Sequence, residues 1–600
     1  MIHDHWKLDI GAYPVGGGEW KFRVWAPFAS EVDLVLSKGK DKVSLDLTRE
    51  PTGYYSGIET SVEGTKYAYI IDKEKRRGDP ASRYQPDGIN GDSCLVDPSN
   101  YSWSDASWKG VALSDLIIYE LHVGTFTKDG TFESLIPLLH YLRNELGVTA
   151  IEIMPVAQFP GDRNWGYDGV MMFAVQNTYG GPLGLKKLVD SCHDAGLGVI
   201  LDVVYNHLGP EGNHLSDFGP YFSNKYRTPW GPSMNYDSGG SDEVRRYVVN
   251  NALYWVNEYH IDGLRLDAIH GIFDSSPTHI LQEINREVAR WKPEGKKVHL
   301  IAESDLNDPK IIRPEGSCGY GLAAQWSDDF HHSIHAFLTG ENNGYYVDYG
   351  GISDISKVFS HGFVYDGRYS RFRNRTHGAP ASEVPGNRFV VCIQNHDQVG
   401  NRPDGARLSV LVSKSALKVA AALNLLSPYL PMLFMGEEYG ETAPFYFFTS
   451  HLDLDIANAT REGRKREFVS HNFKLDFIDP QAETTFEKSK LNLGLRLAKT
   501  NEELFGFYKE LIALRKSHAA LRNFERRDMK VSLLEDQKVL ITKRKSSNES
   551  LMIVFVLNER PVDLGGVVGS SWTKIYASEE TADNSGVLPP MSLAVYSDTG

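Results

Sequence analysis

Cysteine is scarce in this sequence, and long hydrophobic runs are missing. The four cysteines in 600 residues are too few for a disulfide framework, which fits a protein of the reducing cytoplasm. The most apolar run, residues 420–435, contains two prolines and is too short for a membrane-spanning helix. The first residues are charged and lack the apolar stretch of a signal peptide. The sequence therefore predicts a cytoplasmic protein without a membrane partner.

Positive charge is also in deficit. Lys and Arg together number 63 against 78 for Asp and Glu, and the formal net charge is -15 at pH 7. An acidic chain disfavours binding to nucleic acid or to an anionic membrane. The basic stretches at 73–77 and 461–467 are short and are interpreted as solvated surface. Neither nucleic acid nor membrane is therefore expected as a partner.

The two ends of the chain have the pattern of small β domains. Alternating β-branched and aromatic residues at 20–36 and 64–72, separated by turn residues, predict an immunoglobulin-like β-sandwich over residues 1–106. Alternation returns after a helical segment, so residues 524–600 are predicted to form a second β-sandwich domain.

Between residues 107 and 523, strand patterns alternate with helical patterns. The eight strand candidates are 116–123, 148–155, 198–207, 262–268, 298–304, 321–329, 388–397 and 430–436. Helical periodicity occurs between them, for example at 184–196 and 241–259. Eight such units predict an α/β fold with a closed (β/α)8 TIM barrel rather than an open sheet. A Gly- and Pro-rich stretch at 208–240 without helical pattern predicts a functional insertion.

Acidic and imidazole side chains stand near the ends of four predicted strands. They are Asp202, Tyr205, Asn206 and His207 on the third strand, Arg265 and Asp267 on the fourth, Glu303 on the fifth, and His396 and Asp397 on the seventh. Barrel enzymes carry their chemistry at the C-terminal ends of the strands. We therefore expect these side chains to meet around one axis, since unrelated polar groups would not recur at equivalent positions.

Two interpretations of Arg265 and Asp267 stand at this point. Alternation places both on one face of a strand, where they form either a buried structural ion pair or a catalytic carboxylate with its orienting arginine. Several carboxyl groups in one cleft suit glycoside hydrolysis, which needs one ionised and one protonated. Arg265 favours an ionised Asp267. Glu303 lies in an apolar segment without an adjacent cation and is therefore the better candidate for the protonated general acid. Asp397 is a third carboxylate able to hold sugar hydroxyls.

Four segments resemble the signature regions of the α-amylase superfamily, in the same order and at similar spacing. They are DVVYNH (202–207), GLRLDAIH (263–270), AES (302–304) and QNHDQ (394–398). The resemblance implies that Asp267 is the nucleophile, Glu303 the general acid/base and Asp397 the transition-state stabiliser. It also implies retention of anomeric configuration through a covalent glycosyl-enzyme. We accordingly expect the carboxyl groups of Asp267 and Glu303 to lie about 5–5.5 Å apart.

The same resemblance implies a set of sugar-binding residues. Arg265, His207 and His396 match ligands of the subsite for the attacked sugar, and Tyr167 in NWGYDG (164–169) matches an aromatic platform with Asp168 beside it. An aromatic ring can cover the apolar face of a pyranose. Trp230 on the insertion is expected to form one wall of the cleft. The segment after the sixth strand is expected to form another, through Asp328, Asp329 and Phe330.

Within the superfamily the chain resembles the maltooligosyltrehalose trehalohydrolases. The supporting stretches are 79–93, 154–170, 228–237, 325–350, 394–402 and 444–453. That resemblance implies hydrolysis of the α-1,4 bond beside the trehalose end of maltooligosyltrehalose, functional pairing with a maltooligosyltrehalose synthase, and a monomer or homodimer. The alternatives are a 1,4-α-glucan branching or debranching enzyme and, from a different class, a glucan-binding protein without activity.

No metal or other cofactor is expected. Many α-amylases use the residue matching Asn206 to help bind calcium, but the chain resembles the metal-free branch and shows no Asp-rich cage nearby. HEXXH and CxxC patterns are absent from the sequence. The histidines within 3–7 and 331–335 are weak signals, because two histidines alone do not complete a metal site.

Overall fold

Eight parallel strands close into a barrel at the centre of the structure. The computed structural model describes residues 6–39, 41–470, 477–566, 568–569, 571–579 and 586–598. The barrel strands, in order, are Ile118–Leu121, Ala150–Ile153, Gly198–Val203, Gly263–Leu266, His299–Ala302, Ala324–Trp326, Phe389–Val391 and Leu430–Phe434. The first strand pairs with the eighth, Ile118 opposite Met432, and this pairing closes the ring. The predicted barrel and all eight predicted strands are confirmed.

The inner face of the barrel changes from apolar to acidic along the strands. Ile118, Ala150, Ile200 and Ile301 lie in one buried cluster. Because side chains alternate along a strand, the residue two positions further on shares the same face. In these four strands that residue carries a carboxyl group, and the set is Glu120, Glu152, Asp202 and Glu303. An apolar layer therefore supports an acidic layer at the carboxyl ends.

Helices surround the barrel. The longer ones are Gly181–Asp194, Ser241–Glu258, Ile280–Trp291, Asp328–Thr339, Ile352–His361, Lys414–Leu425, Leu454–Ser470 and Lys499–Ser517. The shorter ones are Val123–Phe126, Phe132–Leu135, the π-helical Tyr141–Leu146, Leu215–Phe218, His396–Gly400, Leu408–Leu411 and Glu483–Lys488. The helices predicted at 184–196 and 241–259 are thus confirmed. Within the described ranges, no helix combines the length and apolar character of a membrane span.

The insertion after the third strand folds into more structure than its sequence indicated. Phe222–Thr228 pairs with Gly231–Met234 in an antiparallel hairpin. The prediction that the stretch is not helical was wrong at Leu215–Phe218, a single turn of helix. One turn is too short to produce a hydrophobic period, and Asn213 supports it by accepting a hydrogen bond from the Leu215 N–H. A second hairpin, Asp366–Ser370 with Arg375–Gly378, follows the sixth strand.

Two facing sheets precede the barrel. Their strands are Gly11–Gly16, Glu19–Trp25, Val32–Lys38, Asp41–Asp46, Thr48–Arg49, Tyr54–Thr60, Lys66–Ile71, Lys75–Arg77 and Ser93–Cys94. Phe22 of one sheet contacts Tyr67 of the other edge to face, with ring centroids 5.3 Å apart. Arg83 donates to Glu258 at the end of a barrel helix over 2.6 Å, which fixes this part of the chain against the barrel.

A five-stranded antiparallel sheet follows the barrel. Its strands, in spatial order, are Met529–Leu534, Val539–Lys545, Ser550–Val556, Ser592–Asp598 and Trp572–Ala577, and a small pair joins Val562–Asp563 to Val587–Leu588. Arg544 is buried and donates to Ser427 O over 2.9 Å and to Leu521 O over 3.0 Å. The first bond attaches the sheet to the segment before the eighth barrel strand, and the second attaches it to the segment after the helix Lys499–Ser517.

A buried polar cluster attaches the segment before the barrel to the amino-terminal ends of its strands. Asp105 Oδ2 lies 2.8 Å from His260 Nδ1 and 2.8 Å from His193 Nδ1, and Lys296 Nζ donates to it over 3.2 Å. The other ring nitrogen of His193 lies 2.9 Å from Asp262, next to the fourth strand. Burial opposes the charge of Asp105, but hydrogen bonds from His260 and His193 outweigh it and lower its pKa to about 2.

We expect Asp105→Asn to lower the free energy of unfolding by about 1–3 kcal/mol at pH 7, because buried donors lose a charged acceptor. The folded-state pKa of Asp105 lies below its ordinary value of about 3.9, so this stabilisation is complete above pH ~4 and is lost as the pH falls towards 2. Urea unfolding of parent and variant at pH 7, 4 and 3 measures the difference. The exposed Asp194→Asn is the matched control. A constant difference at all three pH values would contradict the assignment.

Candidate active site

The fourth barrel strand, Gly263–Leu266, places Arg265 inside the barrel and ends just before Asp267. Arg265 is fully buried, and its Nη1 donates to Asp267 Oδ1 over 2.7 Å and to Asp202 Oδ2 over 2.8 Å. Asn206 Nδ2 donates to the second carboxylate oxygen of Asp267 over 2.8 Å. Both oxygens of Asp267 therefore accept hydrogen bonds, which fixes the carboxylate in position and pairs its charge.

Glu303 follows the fifth barrel strand and lies near the same arginine. Its Oε2 accepts a hydrogen bond from the Ala268 N–H over 2.6 Å and lies 3.8 Å from Arg265 Nη2. Ala268 has φ 37°, a strained left-handed conformation that turns its N–H towards Glu303. Burial raises the pKa of Glu303 in spite of the positive charges of Arg265 and His270. The surroundings of Glu303 thus favour a protonated carboxyl group.

A chain of hydrogen bonds crosses the barrel from the first strand to the third. Glu120 Oε1 lies 2.6 Å from His396 Nδ1, and the His396 N–H of the backbone donates to the other Glu120 oxygen. His396 Nε2 lies 2.7 Å from the Tyr167 hydroxyl, which donates to Asp202 over 2.7 Å. Burial opposes a charged imidazole, but the negative charges of Asp397 and Glu120 raise the pKa of His396 to about 9. A charged His396 therefore supports the ring of Tyr167.

Asp397 and Asp328 add two more carboxyl groups. Asp397 lies 3.6 Å from His396 Nε2, accepts from Asn401 Nδ2 over 3.2 Å, and keeps a side chain that is 40% exposed. Burial raises the pKa of Asp328. Asp328 is half-buried and begins the helix Asp328–Thr339 that follows the sixth strand.

The loops after the second and third strands form one edge of the cleft. His207 Nε2 lies 3.0 Å from the Tyr167 carbonyl oxygen, and the Trp230 ring stacks on His207 with centroids 5.2 Å apart. Trp230 is 44% exposed, so its ring retains surface for a ligand. Asp168 accepts from Asn164 Nδ2 over 2.6 Å, which fixes it beside Tyr167. The structure therefore brings Tyr167, Asp168, His207 and Trp230 together.

Two residues predicted as a cleft wall are part of the interior instead. Phe330 is fully buried and stacks on Phe359 with ring centroids 5.6 Å apart. Asp329 is also buried; its Oδ1 accepts from the Tyr349 hydroxyl over 2.6 Å, and its Oδ2 accepts from Asn307 over 2.8 Å. Consecutive helical residues point about 100° apart, so only one of the three can face the cleft. Of the three, only Asp328 is half-buried rather than buried.

The sequence alone did not single out Glu120 and Ala268. Glu120 is an acidic residue inside an otherwise apolar predicted strand, and that pattern was an available signal. Its partner, His396, is 276 positions away along the chain, so the pairing depends on barrel closure. Ala268 acts through a backbone N–H and a strained φ, and side-chain identity gives no indication of either.

The described residues contain no group of three or more His, Cys, Asp or Glu side chains that is placed to hold a metal ion. Asn206 donates to Asp267 instead. His332 and His335 are buried against Tyr345 and Tyr346, with stacked ring centroids 4.6 Å and 4.7 Å apart. Burial lowers the pKa of His332 to about 3, as expected for a packed neutral ring. The other histidine group that the sequence suggested, His3 and His5, lies outside the described residues.

Two family models match the chain. The model described as the catalytic domain of alpha amylase matches residues 98–233 and 221–523. The model of carbohydrate-binding module 48, the isoamylase N-terminal domain, matches residues 9–98. The first match covers the whole barrel and the second covers the two sheets that precede it.

Proteins with closely similar sequences carry one name. A malto-oligosyltrehalose trehalohydrolase from Saccharolobus solfataricus is 52% identical over 504 residues, which is 84% of this chain and 86% of the relative. A malto-oligosyltrehalose trehalohydrolase from a Rhizobium species is 42% identical over 98% of this chain and 99% of the relative. A crystal structure from Salmonella typhimurium, assigned as an alpha amylase, aligns with a TM-score of 0.91 at 37% identity, over 99% of this chain and 100% of that one.

Proposed function

The chain belongs to the malto-oligosyltrehalose trehalohydrolases of the alpha-amylase family, and from this we propose that it hydrolyses the α-1,4 bond beside the trehalose end of a maltooligosyltrehalose. The products are trehalose and a maltooligosaccharide. The observation that carries the proposal is the placement of Asp267 and Glu303 beside one guanidinium in unlike surroundings. Asp267 accepts from Arg265 over 2.7 Å, whereas burial raises the pKa of Glu303.

In the first step, an Asp267 oxygen attacks the anomeric carbon of the sugar on the maltooligosyl side. The bond from that carbon to the trehalose oxygen breaks, and Glu303 gives its proton to this oxygen, so trehalose leaves neutral. Arg265 and Asn206 hold the Asp267 carboxylate in line for the attack. We propose that the separation of the two carboxyl groups is about 5–5.5 Å, as a retaining mechanism needs.

In the second step, water takes the place that trehalose left beside Glu303 and attacks the anomeric carbon. Glu303, now ionised, accepts a proton from the water while the bond to Asp267 breaks and the maltooligosaccharide is released. The anomeric centre has been inverted twice, so the new reducing end keeps the α configuration. Glu303 is protonated again at the end of the cycle.

Residues around Asp267 are proposed to bind the attacked sugar. Tyr167 offers the face of its ring, and the ring nitrogens of His207 and His396 hold Tyr167 in place through its carbonyl oxygen and its hydroxyl. Asp397, 40% exposed, is placed to hold two hydroxyls of the distorted sugar. The hydrogen bonds that Asp397 accepts from these hydroxyls strengthen as positive charge develops at the anomeric carbon.

The leaving trehalose is proposed to lie on the Glu303 side of the cleft. Trp230 approaches His270 on that side, with ring centroids 6.2 Å apart. Asp305 lies two residues after Glu303 and is paired with Arg373 of the second hairpin over 3.4 Å. Aromatic and charged groups from two hairpins therefore surround the position from which the leaving group departs.

The test offers the protein maltotriosyltrehalose, plain maltooligosaccharides and amylose in separate reactions. We expect rapid release of trehalose from the first substrate and much slower turnover of the other two. Proton NMR during the first minutes should show the α anomer of the new reducing end before mutarotation. New branch points in amylose would favour a branching enzyme, and binding without turnover would favour the glucan-binding alternative.

The biological setting is also part of the proposal. A substrate with a trehalose end must come from an enzyme that rearranges the reducing end of a maltooligosaccharide, so we propose functional pairing with a maltooligosyltrehalose synthase in the cytoplasm. All four cysteines are unpaired, and Cys318 is exposed, which supports a reducing compartment. A monomer or homodimer is proposed, and sedimentation velocity distinguishes the two states.

A further inference from the structure

A surface groove adjoins the active-site cleft next to Asp168. Its volume is about 460 Å³, within the range of small-ligand sites. We call it the outer groove. The lining residues that matter here are Arg163, His451, Leu452, Leu454, Arg461 and Gln481.

Three barrel loops build the outer groove and fix one another. Ser450, from the loop after the eighth strand, accepts from the N–H of Asp162 and of Arg163, after the second strand, over 2.9 Å each. Glu211, from the loop after the third strand, accepts from the Leu452 N–H over 3.0 Å. Glu211 also lies 3.1 Å from His451 Nδ1. These bonds make the groove a defined part of the fold.

The outer groove lies on the side of the cleft away from the acid. His451 Nε2 is 3.8 Å from Asp168 Oδ2, so the groove begins beside a predicted substrate ligand. In the ring of eight strands, the second and eighth flank the first, and the fifth, which carries Glu303, lies opposite the first. Because Glu303 protonates the leaving trehalose, the groove is on the side of the maltooligosyl chain.

The lining of the outer groove combines apolar surface with spare hydrogen-bond donors. Leu452 and Leu454, separated only by Asp453, are 64% and 76% exposed and give the groove apolar surface. Arg163 Nε and Gln481 Nε2 are shielded from solvent and have no hydrogen-bond partner among the described residues. Apolar patches beside unsatisfied donors suit a sugar ring, which presents C–H faces and hydroxyl oxygens.

We propose that the outer groove binds glucosyl units of the maltooligosyl chain, remote from the bond that is cleaved. The ligand class is an α-1,4-linked glucan. Leu452 and Leu454 contact the C–H faces of the sugars. The side chains of Arg163 and Gln481 turn towards the groove, so that their N–H groups donate to the sugar hydroxyls. The proposal rests on the proposed function, because the direction of the chain follows from the role of Glu303.

The test compares the parent enzyme with a Leu452→Ala, Leu454→Ala double variant on trehalose substrates that carry one to six further glucosyl units. For the parent, kcat/KM should rise with chain length until the groove is filled. In the variant, the ratio of kcat/KM for the longest substrate to that for the shortest should fall about five- to tenfold, through lost apolar contact. The length at which the two curves separate gives the number of units between the cleaved bond and the groove.

Leu497→Ala is the matched control, since Leu497 is an exposed leucine, 79% accessible, outside this groove. It should keep the chain-length profile of the parent. An unchanged length ratio in the double variant would overturn the groove proposal while trehalose release still supported the proposed function. If the parent released no trehalose from any of these substrates, the proposed function itself would fail.

Discussion

Replacement of Asp267 by glycine is expected to lower kcat for trehalose release by at least ~10⁴-fold. The physical reason is that, in the part of the chain that the structure describes, no other carboxylate has both of its contacts, with Arg265 Nη1 on one oxygen and Asn206 Nδ2 on the other. Without an attacking oxygen in that position, the covalent intermediate cannot form. Steady-state kinetics with maltotriosyltrehalose measures the loss.

Azide added to the Asp267→Gly variant provides a sharper readout than the loss itself. The small anion can enter the space of the missing carboxylate and attack the anomeric carbon, which gives a glycosyl azide of inverted, β configuration. NMR identifies that product. This result separates the two interpretations of the Arg265–Asp267 pair, because loss of a purely structural ion pair would lower the thermal midpoint without any rescue by azide.

The Asp267→Gly variant is expected to fold, because Arg265 has a second carboxylate partner. Arg265 Nη1 also donates to Asp202 over 2.8 Å, so its charge remains compensated when Asp267 is removed. Asp194→Gly, at an exposed helix position, is the control for any general loss of stability that an Asp-to-Gly replacement causes. Full activity of the Asp267 variant in the absence of azide would refute its assignment as nucleophile.

The barrel and its carboxyl groups were predictable because they follow from short-range patterns. Strand alternation places Arg265 and Asp267 on one face, and repetition of strand and helix indicates a barrel. Those rules need only neighbouring residues. They were sufficient to bring Asp267, Glu303, His396 and Asp397 to one end of the barrel, which is where the structure has them.

Other parts of the site depend on geometry that adjacent residues do not encode. Glu120 acquires its role only when the barrel closes and brings the carboxyl ends of the first and seventh strands to the same end, because its partner is His396. The orientation of Asp329 and Phe330 depends on the rotation of one helix about its axis. A change of one residue in that helix turns a side chain by about 100°, from the cleft into the interior. Sequence pattern identified this segment without giving its rotation.

The second large effect is expected from Glu303→Gln. Glutamine keeps the shape of the neutral acid but cannot give a proton to the leaving oxygen, so kcat for maltotriosyltrehalose should fall by about 10³-fold. The fluoride ion of a glycosyl fluoride leaves without protonation. On such a substrate, the rate of the variant's first step should therefore fall far less. The ratio of the two losses, measured with maltosyl fluoride as the second substrate, identifies the acid.

The pH profile gives an independent check on the same residue. Burial raises the pKa of Glu303, and the reaction needs its protonated form, so activity of the parent falls as the pH rises through that raised pKa. The Glu303→Gln variant should lack this basic limb. Glu152→Gln is the matched control: Glu152 belongs to the same acidic layer, is fully buried, and burial also raises its pKa. The Glu152→Gln variant should retain the basic limb. If instead the limb persisted in Glu303→Gln and disappeared in Glu152→Gln, Glu152 rather than Glu303 would be the proton donor.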